Sequence, residues 1–410
     1  MPLLFPLPPL THIRESCKMK RMKAKHVIFY RGGSCNEQRV LQNLKKLIPE
    51  ISELIHPCKN FDLDAELAQK AFLLVHEKKA DALFSVDYYP ILAEVAHTAG
   101  IPYLSWIIDA PHYTLYSPTS CYDESYIFHF DLAEAERLTA LGRPHVFHQP
   151  LAGDPDFFRS VIASAPENKR TKYSSDISFL GSSYQNEHDY FAKQDGLSDY
   201  EKGYFDGLIR AQLSVYGASL YHDTLPDPKV ELLMKACDLR RPETYDLPES
   251  LIAETALDKR VSVLERKEMI TTVAEQMGLT LYSHKDDFPL SGVRYAGYAD
   301  YETEMPLAFA FSRINLNTTL RAIRTGIPLR ALDIMACGGF LLSNYQPELL
   351  EHFTPGEDME IYESMEDLID KCGWYLEHEE ERARIARNGL RIVKERFTYE
   401  EALNEIFSAL

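Results

Sequence analysis

No run of about 18 consecutive apolar residues occurs in the chain, so no segment is long and apolar enough to form a bilayer-spanning helix. Positive charge is also scarce. Lys and Arg number 44 against 62 Asp and Glu, a formal net charge of −18. That balance argues against nucleic acid as a partner, because its phosphates demand clustered cations. It equally disfavours anchoring to an anionic membrane surface. Cysteines are few and scattered (Cys17, Cys35, Cys58, Cys121, Cys237, Cys337, Cys372), odd in number and without a C-x-x-C pair. The expectation is reduced thiols in the cytoplasm, not a disulfide framework or a zinc site. With 19 glycines, the chain holds no complete G-x-G-x-x-G. Gly32-Gly33, after the first apolar run, is half of a dinucleotide fingerprint and no more. Internal repeats and low-complexity tracts are missing too.

What is present is the 45% hydrophobic and 26% charged composition of a globular protein. A chain of 410 residues exceeds one ordinary core and implies two domains. MPLLFPLPPL is apolar but broken by proline and lacks a basic n-region, so it makes a poor signal peptide. Residues 1–25 are expected to be a disordered extension, with Met19 and Met22 as alternative starts.

HVIFY (26–30) reads as a buried parallel strand. Ser34 and Glu37 form a capping-box pattern for a helix from about 36 to 48. A helix at 63–78, a strand at 82–86, the helix ILAEVAHTAG and the strand within 101–113 follow. SYIFHFD (125–131), the helix LAEAERLTALG and the strand 146–149 complete a first domain over 26–158. Strands alternating with helices imply a parallel sheet, whose ligands sit beyond the C-terminal strand ends. Asp87, Asp109, His112 and Asp131 fall there. Residues 159–175 are polar with little periodicity and read as a linker. DISFLGSS (176–183) restarts the pattern and opens a second domain over 176–390, with a helical insertion at about 185–280. Its later strands are expected at 279–283, 293–298, 311–320 and 359–364. Ser364 with Asp367 and Thr398 with Glu401 cap the last helices, and 391–410 is expected to cross back to the first domain.

GIPLRALDIMACGGFLL (326–342) combines a glycine turn, Pro328 suited to a first helical turn, a helix carrying Leu329, Leu332 and Ala336 inward, a Gly338-Gly339 stop and a core strand. The N–H groups and positive dipole end of such a helix attract phosphate. Arg330 and Asp333 lie one turn apart on one face, a pattern equally suited to a plain i,i+3 salt bridge.

RINLNTTLRAIRTGIPLRALDIMACGGFLLSNYQPELLEHF (313–353), with YESMEDLIDKCGWYLEHEEERARIARNGL and ERFTYEEAL, resembles the C-terminal domain of the spore-maturation (CgeB-like) glycosyltransferases. IPYLSWIIDAPHYTLYS and QPLAGD resemble the domain that precedes it in those proteins. The resemblance implies a GT-B fold: two Rossmann-like α/β domains, a nucleotide-sugar donor on the second and a glycan or protein acceptor on the first. In the wider family two glutamates separated by seven residues contact the donor sugar and the ribose. Thr325 and Asp333 stand there, so the second position keeps a carboxylate and the first has lost it.

A departing nucleoside diphosphate gains charge that must be stabilised where it develops. Enzymes using a metal for this hold it on an acidic loop. Asp286-Asp287, beside Lys285, is the one comparable pair and reads as solvent-facing. The expectation is therefore metal-free and cofactor-free stabilisation by the helix after Gly326, by Arg330 and by amides of the Gly181-Ser182-Ser183 turn. Asn315 and Asn317 alternate on one strand face and could bind donor hydroxyls or serve structure. Asn344 and Tyr345 are expected in a loop reaching the sugar. Asp109 and His112 are the candidates to deprotonate an acceptor or stabilise a sugar cation, with Asp131 third. Two other readings remain: a nucleotide-sugar epimerase of the same shape, and a non-catalytic two-lobed sugar-binding protein.

Overall fold

The computed structural model describes residues 24–182, 184, 191, 196–283 and 293–410. Residues 1–23 of the proposed extension at 1–25, Ser183 and the acidic pair Asp286-Asp287 lie outside them. In chain order the first half comprises β1 His26–Arg31, α1 Glu37–Leu47, β2 Glu50–Ile55, α2 Ala65–Lys78, β3 Ala82–Val86, α3 Pro90–Ala99, β4 Tyr103–Ile107, β5 Ser125–His129, α4 Leu132–Ala140 and β6 His145–His148. Next come α5 Pro155–Ser164, α6 Glu167–Tyr173, β7 Ser175–Leu180, α7 Asp199–Leu213, α8 Asp227–Ala236, α9 Glu249–Gln276, β8 Leu279–Tyr282 and β9 Val293–Tyr295. The chain finishes with α10 Met305–Phe311, β10 Ser312–Asn317, α11 Leu329–Ala336, β11 Leu341–Asn344, α12 Pro347–His352, β12 Glu360–Tyr362, α13 Met365–Glu377, α14 Glu379–Arg396 and α15 Tyr399–Ser408.

Two six-stranded sheets result, in the orders β2-β1-β3-β4-β5-β6 and β12-β11-β10-β7-β8-β9. Every pairing is parallel, for example Phe29 with Phe84 and Leu316 with Leu342. The central strands are buried along their length, as sheets covered on both faces require. In α11, Ala331, Leu332, Ile334, Met335 and Ala336 are buried, and Gly338 (φ 75°) ends the element.

Local chemistry departs from expectation in four places. Ser34 caps nothing: Glu37 instead accepts from the Gly32 and Gly33 amides at 2.8 and 2.9 Å, and Asn36 is the cap residue. The edge strand β2 has no continuous apolar run to announce it, since only one of its faces packs. Residues 159–175 are not an extended linker, because α5 and α6 occupy most of them. Pro328 stands at the cap of α11, just ahead of its first turn.

The halves are joined at several points. Leu403, Ile406 and Phe407 of α15 share one apolar cluster with Val40, Leu41 and Leu44 of α1. The Arg39 guanidinium donates to Glu302 at 2.8 Å. His148 and Glu348 meet at 2.9 Å. The segment α7–α9 has its own core around Phe205, Tyr221, Leu233 and Leu257. It also reaches the first half: Tyr245, Leu247 and Ile252 enter the cluster formed by Tyr88, Leu92 and Tyr116. Burial of each such side chain contributes about 1.5–3 kcal/mol. Tyr245 also donates to Asp62 at 2.8 Å.

Candidate functional site

The two sheets direct their C-terminal strand ends toward a common cleft. After β3, Asp87 takes a left-handed backbone (φ 61°) and its carboxylate accepts from the amides of Ile108 and Asp109 at 2.9 and 3.4 Å. Burial raises its pKa to about 6. The neighbouring Asp109 is solvent-accessible in a concave setting, and burial among protein atoms together with Asp87 raises its carboxyl to about 6 as well. His112 follows the cis Ala110–Pro111 bond and its Nε2 meets the Tyr88 backbone at 3.1–3.2 Å. Burial lowers its pKa and keeps the ring neutral. Asp109 thus opens on the cleft, while one His112 nitrogen is engaged by the backbone.

Across from Asp109, cations gather at the ends of β7 and β10. Arg330 Nη1 donates to Asn317 Oδ1 at 3.1 Å. A Cβ at Gly181 would lie 2.8 Å from Arg330 Nη2, so glycine is what lets the guanidinium lie against this turn. Arg266, from the middle of α9, is 1% exposed and donates to Ser182 O at 2.6 Å and to Thr318 Oγ1 at 3.0 Å. Burial, then the charge of Arg266, lowers the Arg330 pKa to about 10. Tyr184 lies 4.4 Å from the Arg266 guanidinium; the two arginines overcome burial and lower its pKa. Among the described residues neither arginine forms a salt bridge with a carboxylate. Two close guanidiniums without a carboxylate partner among the described residues make a local anion site in an acidic protein.

Several expected ligand groups serve structure instead. Thr325 Oγ1 donates to Asp131 Oδ1 at 2.8 Å and accepts from Ala133 N at 3.1 Å, so it belongs to the interdomain joint. Gly326 packs on the first half, where a Cβ would lie 2.9 Å from the Phe130 carbonyl. Asn315, 1% exposed, bonds to Ser178, Phe309 O and Phe340 O within the core. Asn317, fully buried, holds Ser343 and Arg330. Asn344 lies on β11, not in a loop, and accepts from Thr319 N at 2.9 Å. Asp333 is 2% exposed and accepts from Tyr301 at 3.1 Å; burial holds its carboxyl well above the carboxylate range. It is therefore not an open carboxylate awaiting a ribose. Tyr345 does face open space.

That space is a polar cavity of about 170 Å³ between α7–α9 and the loops after β10 and β11, lined by Ser219, His222, Asp258, Arg321, Thr325 and Tyr345, among others. A smaller one, about 30 Å³, lies between α9 and the strand ends of the first sheet, against His112, His129, Glu134 and Arg137. Sequence reasoning missed Arg266, Tyr184, His222 and Asp258. For Arg266 a signal existed, since it sits three to four residues from Val263, Met269 and Ile270, a charge on an apolar helical face. Tyr184 and His222 carry no such mark. Among the described residues no group of three His, Cys, Asp or Glu is placed to hold a metal ion.

Residues 265–408, less than half of the chain, match a family model described as glycosyl transferase-like. No curated protein sequence matches the chain. A solved glycosyltransferase from Rickettsia africae is similar in structure, with TM-score 0.51 and 9% identity over 94% of this chain and 98% of that one. HepE from Anabaena, solved in complex with UDP-glucose, is also similar, with TM-score 0.51 and 12% identity over 94% of this chain and all of the other. The architecture is the GT-B fold, two Rossmann-like sheets facing a cleft, here with a helical insertion in the second half.

Proposed function

We propose that the protein transfers a sugar from a nucleotide-sugar donor to a hydroxyl-bearing acceptor without a metal ion. The observation that carries this reading is the Arg330–Arg266 pair at the Gly181-Ser182 turn, two guanidiniums without a carboxylate among the described residues. A diphosphate supplies the missing charge, and it needs more stabilisation as it departs, which preorganised cations provide. The glycosyl transferase-like match over 265–408 covers this half of the site and supports the same chemistry. Asp109, ionised above about pH 6 and near Tyr184, is assigned to the positive charge that develops on the sugar ring. The CgeB-like resemblance narrows the acceptor to a glycan, a protein or a surface polysaccharide.

The test is a thermal-shift panel of UDP, GDP, TDP and CDP species with their sugars, with UDP-glucose first, the ligand of HepE. A nucleotide at 100 times its dissociation constant should add about 2.7 kcal/mol to stability. Turnover should survive EDTA; loss with EDTA and recovery with Mg²⁺ would remove the metal-free part. Silence across the whole panel would remove the donor itself. Interconversion of the nucleotide sugar without acceptor would identify an epimerase instead.

A further inference from the structure

We propose that the helical insertion supplies the general base of the reaction, His222, which takes the proton of the acceptor hydroxyl. This rests on the glycosyl-transfer reading above. Three residues line both cavities: His222, Asp258 and Arg324. One cavity borders the loops after β10 and β11, on the half that carries the arginine pair. The other borders Ala110, Pro111, His112 and His129 of the first sheet. A group that moves a proton while acceptor and donor react must be reached from both sides, and among the described residues only these three are.

Chemistry selects among them. Arg324 is a permanent cation that donates to Asp223 at 3.3 Å. Asp258 has both oxygens engaged, by Tyr221 Oη at 2.7 Å and by His222 Nε2 at 2.7 Å. With Nε2–H donated to the carboxylate, His222 Nδ1 keeps a lone pair, and it has no partner among the described residues. The backbone that carries the ring is fixed as well, because the His222 amide donates to Ser219 Oγ at 3.0 Å. A carboxylate that fixes the tautomer and leaves the other nitrogen open is the arrangement of a base.

A second observation comes from the first sheet. His129 is fully buried, and its Nδ1 accepts from the Asp131 amide at 3.0 Å. Its proton is therefore on Nε2, which has no hydrogen-bond partner among the described residues. Burial holds the ring neutral, with a pKa lowered to about 4. A buried donor without an acceptor is costly, and this ring lines the smaller cavity. That cavity has room for roughly two waters, enough for a hydroxyl and its carbon but not for a whole sugar. A hydroxyl seated there accepts from His129 Nε2–H and donates to His222 Nδ1. In the transfer its O–H bond breaks and the proton passes to His222. The oxygen's electron pair forms the new bond to the anomeric carbon. The bond from that carbon to the diphosphate oxygen breaks, and its electrons leave with the diphosphate.

The experiment uses the full chain and the nucleotide sugar that the panel identifies, or UDP-glucose, and follows nucleoside diphosphate release. His222→Gln and His222→Ala should bind the nucleotide within about twofold of the parent yet release it at least a hundredfold more slowly. Added imidazole should restore part of the rate to His222→Ala and none to Asp258→Ala. Release within threefold of the parent rate in His222→Gln, or a loss in His222→Ala that imidazole does not relieve, overturns the proposal. A parent protein that turns over no nucleotide sugar removes the transfer reading, and this proposal with it.

Discussion

Asp131 and Thr325 are 194 residues apart in the chain and 2.8 Å apart in space. The same carboxylate accepts from the backbone amides of Arg324 at 2.5 Å and Thr325 at 3.3 Å, and at the head of α4 from Ala133 at 3.0 Å. One side chain thereby caps a helix of the first half and fastens a loop of the second.

Asp131→Ala leaves those amides without an acceptor in a buried setting. The expected cost is about 2–3 kcal/mol, read as a lower denaturation midpoint with unchanged slope in urea. Thr325→Glu puts back the carboxylate of the wider glycosyltransferase pattern, but beside Asp131. Repulsion between two buried carboxylates should lower the melting temperature and loosen the joint instead of adding a sugar contact. Stability equal to the parent would show that Thr325 is not engaged as described.

Arg330→Ala should weaken nucleoside diphosphate binding by roughly ten- to a hundredfold, the loss of one charged hydrogen-bonding group. Gly181→Ala acts on the same guanidinium from the other side, because the new methyl would meet Nη2 at 2.8 Å. Titration calorimetry with UDP measures both, and nucleoside without phosphate serves as the control that should be indifferent.

Stability should fall as pH rises from about 4 to about 6. Asp87 titrates near 6 in the folded protein against 3.8 in an ordinary environment, so between these values the native state holds more protons than the unfolded chain. The slope is negative, and its integral for this group is about 3 kcal/mol. The Asp109 carboxyl, raised to about 6 by burial and by Asp87, acts in the same direction. Asp87→Asn keeps an acceptor for the Ile108 and Asp109 amides and should flatten the slope in urea midpoints measured across pH 4–7.

Leu247→Ala should cost about 2–5 kcal/mol if the insertion is anchored in the core of the first half as described. It should also expose 237–248, between α8 and α9, to limited proteolysis, whereas a loosely draped insertion would respond little.

The layout of the chain was legible because buried parallel strands are near-continuous apolar runs. HVIFY, the run at 82–86 and FLL before Ser343 carry that mark, and the Thr398 and Ser364 caps announce their helices. The edge strand β2 escaped because a half-exposed strand such as EISELI has no such run. In the candidate site, the turn at Gly181 and the start of the Arg330 helix could be named from local pattern, since a turn and a helix start are local features. Asn315, Asn317 and Asn344 misled for the same reason: a strand-end carboxamide looks alike in sequence whether it faces a ligand or a buried serine.

By itself the sequence determined the alternation of strands and helices, the boundaries of many elements and the glycine turn at Gly181. These follow from hydrophobic periodicity and backbone stereochemistry, which act over a few residues. Only the tertiary structure decided that Thr325 fastens a joint, that Arg266 stands beside Arg330, and that His222 of the insertion and His129 of the first half line one small cavity. Charge pairing and desolvation depend on distance through space, and no spacing along the chain records it.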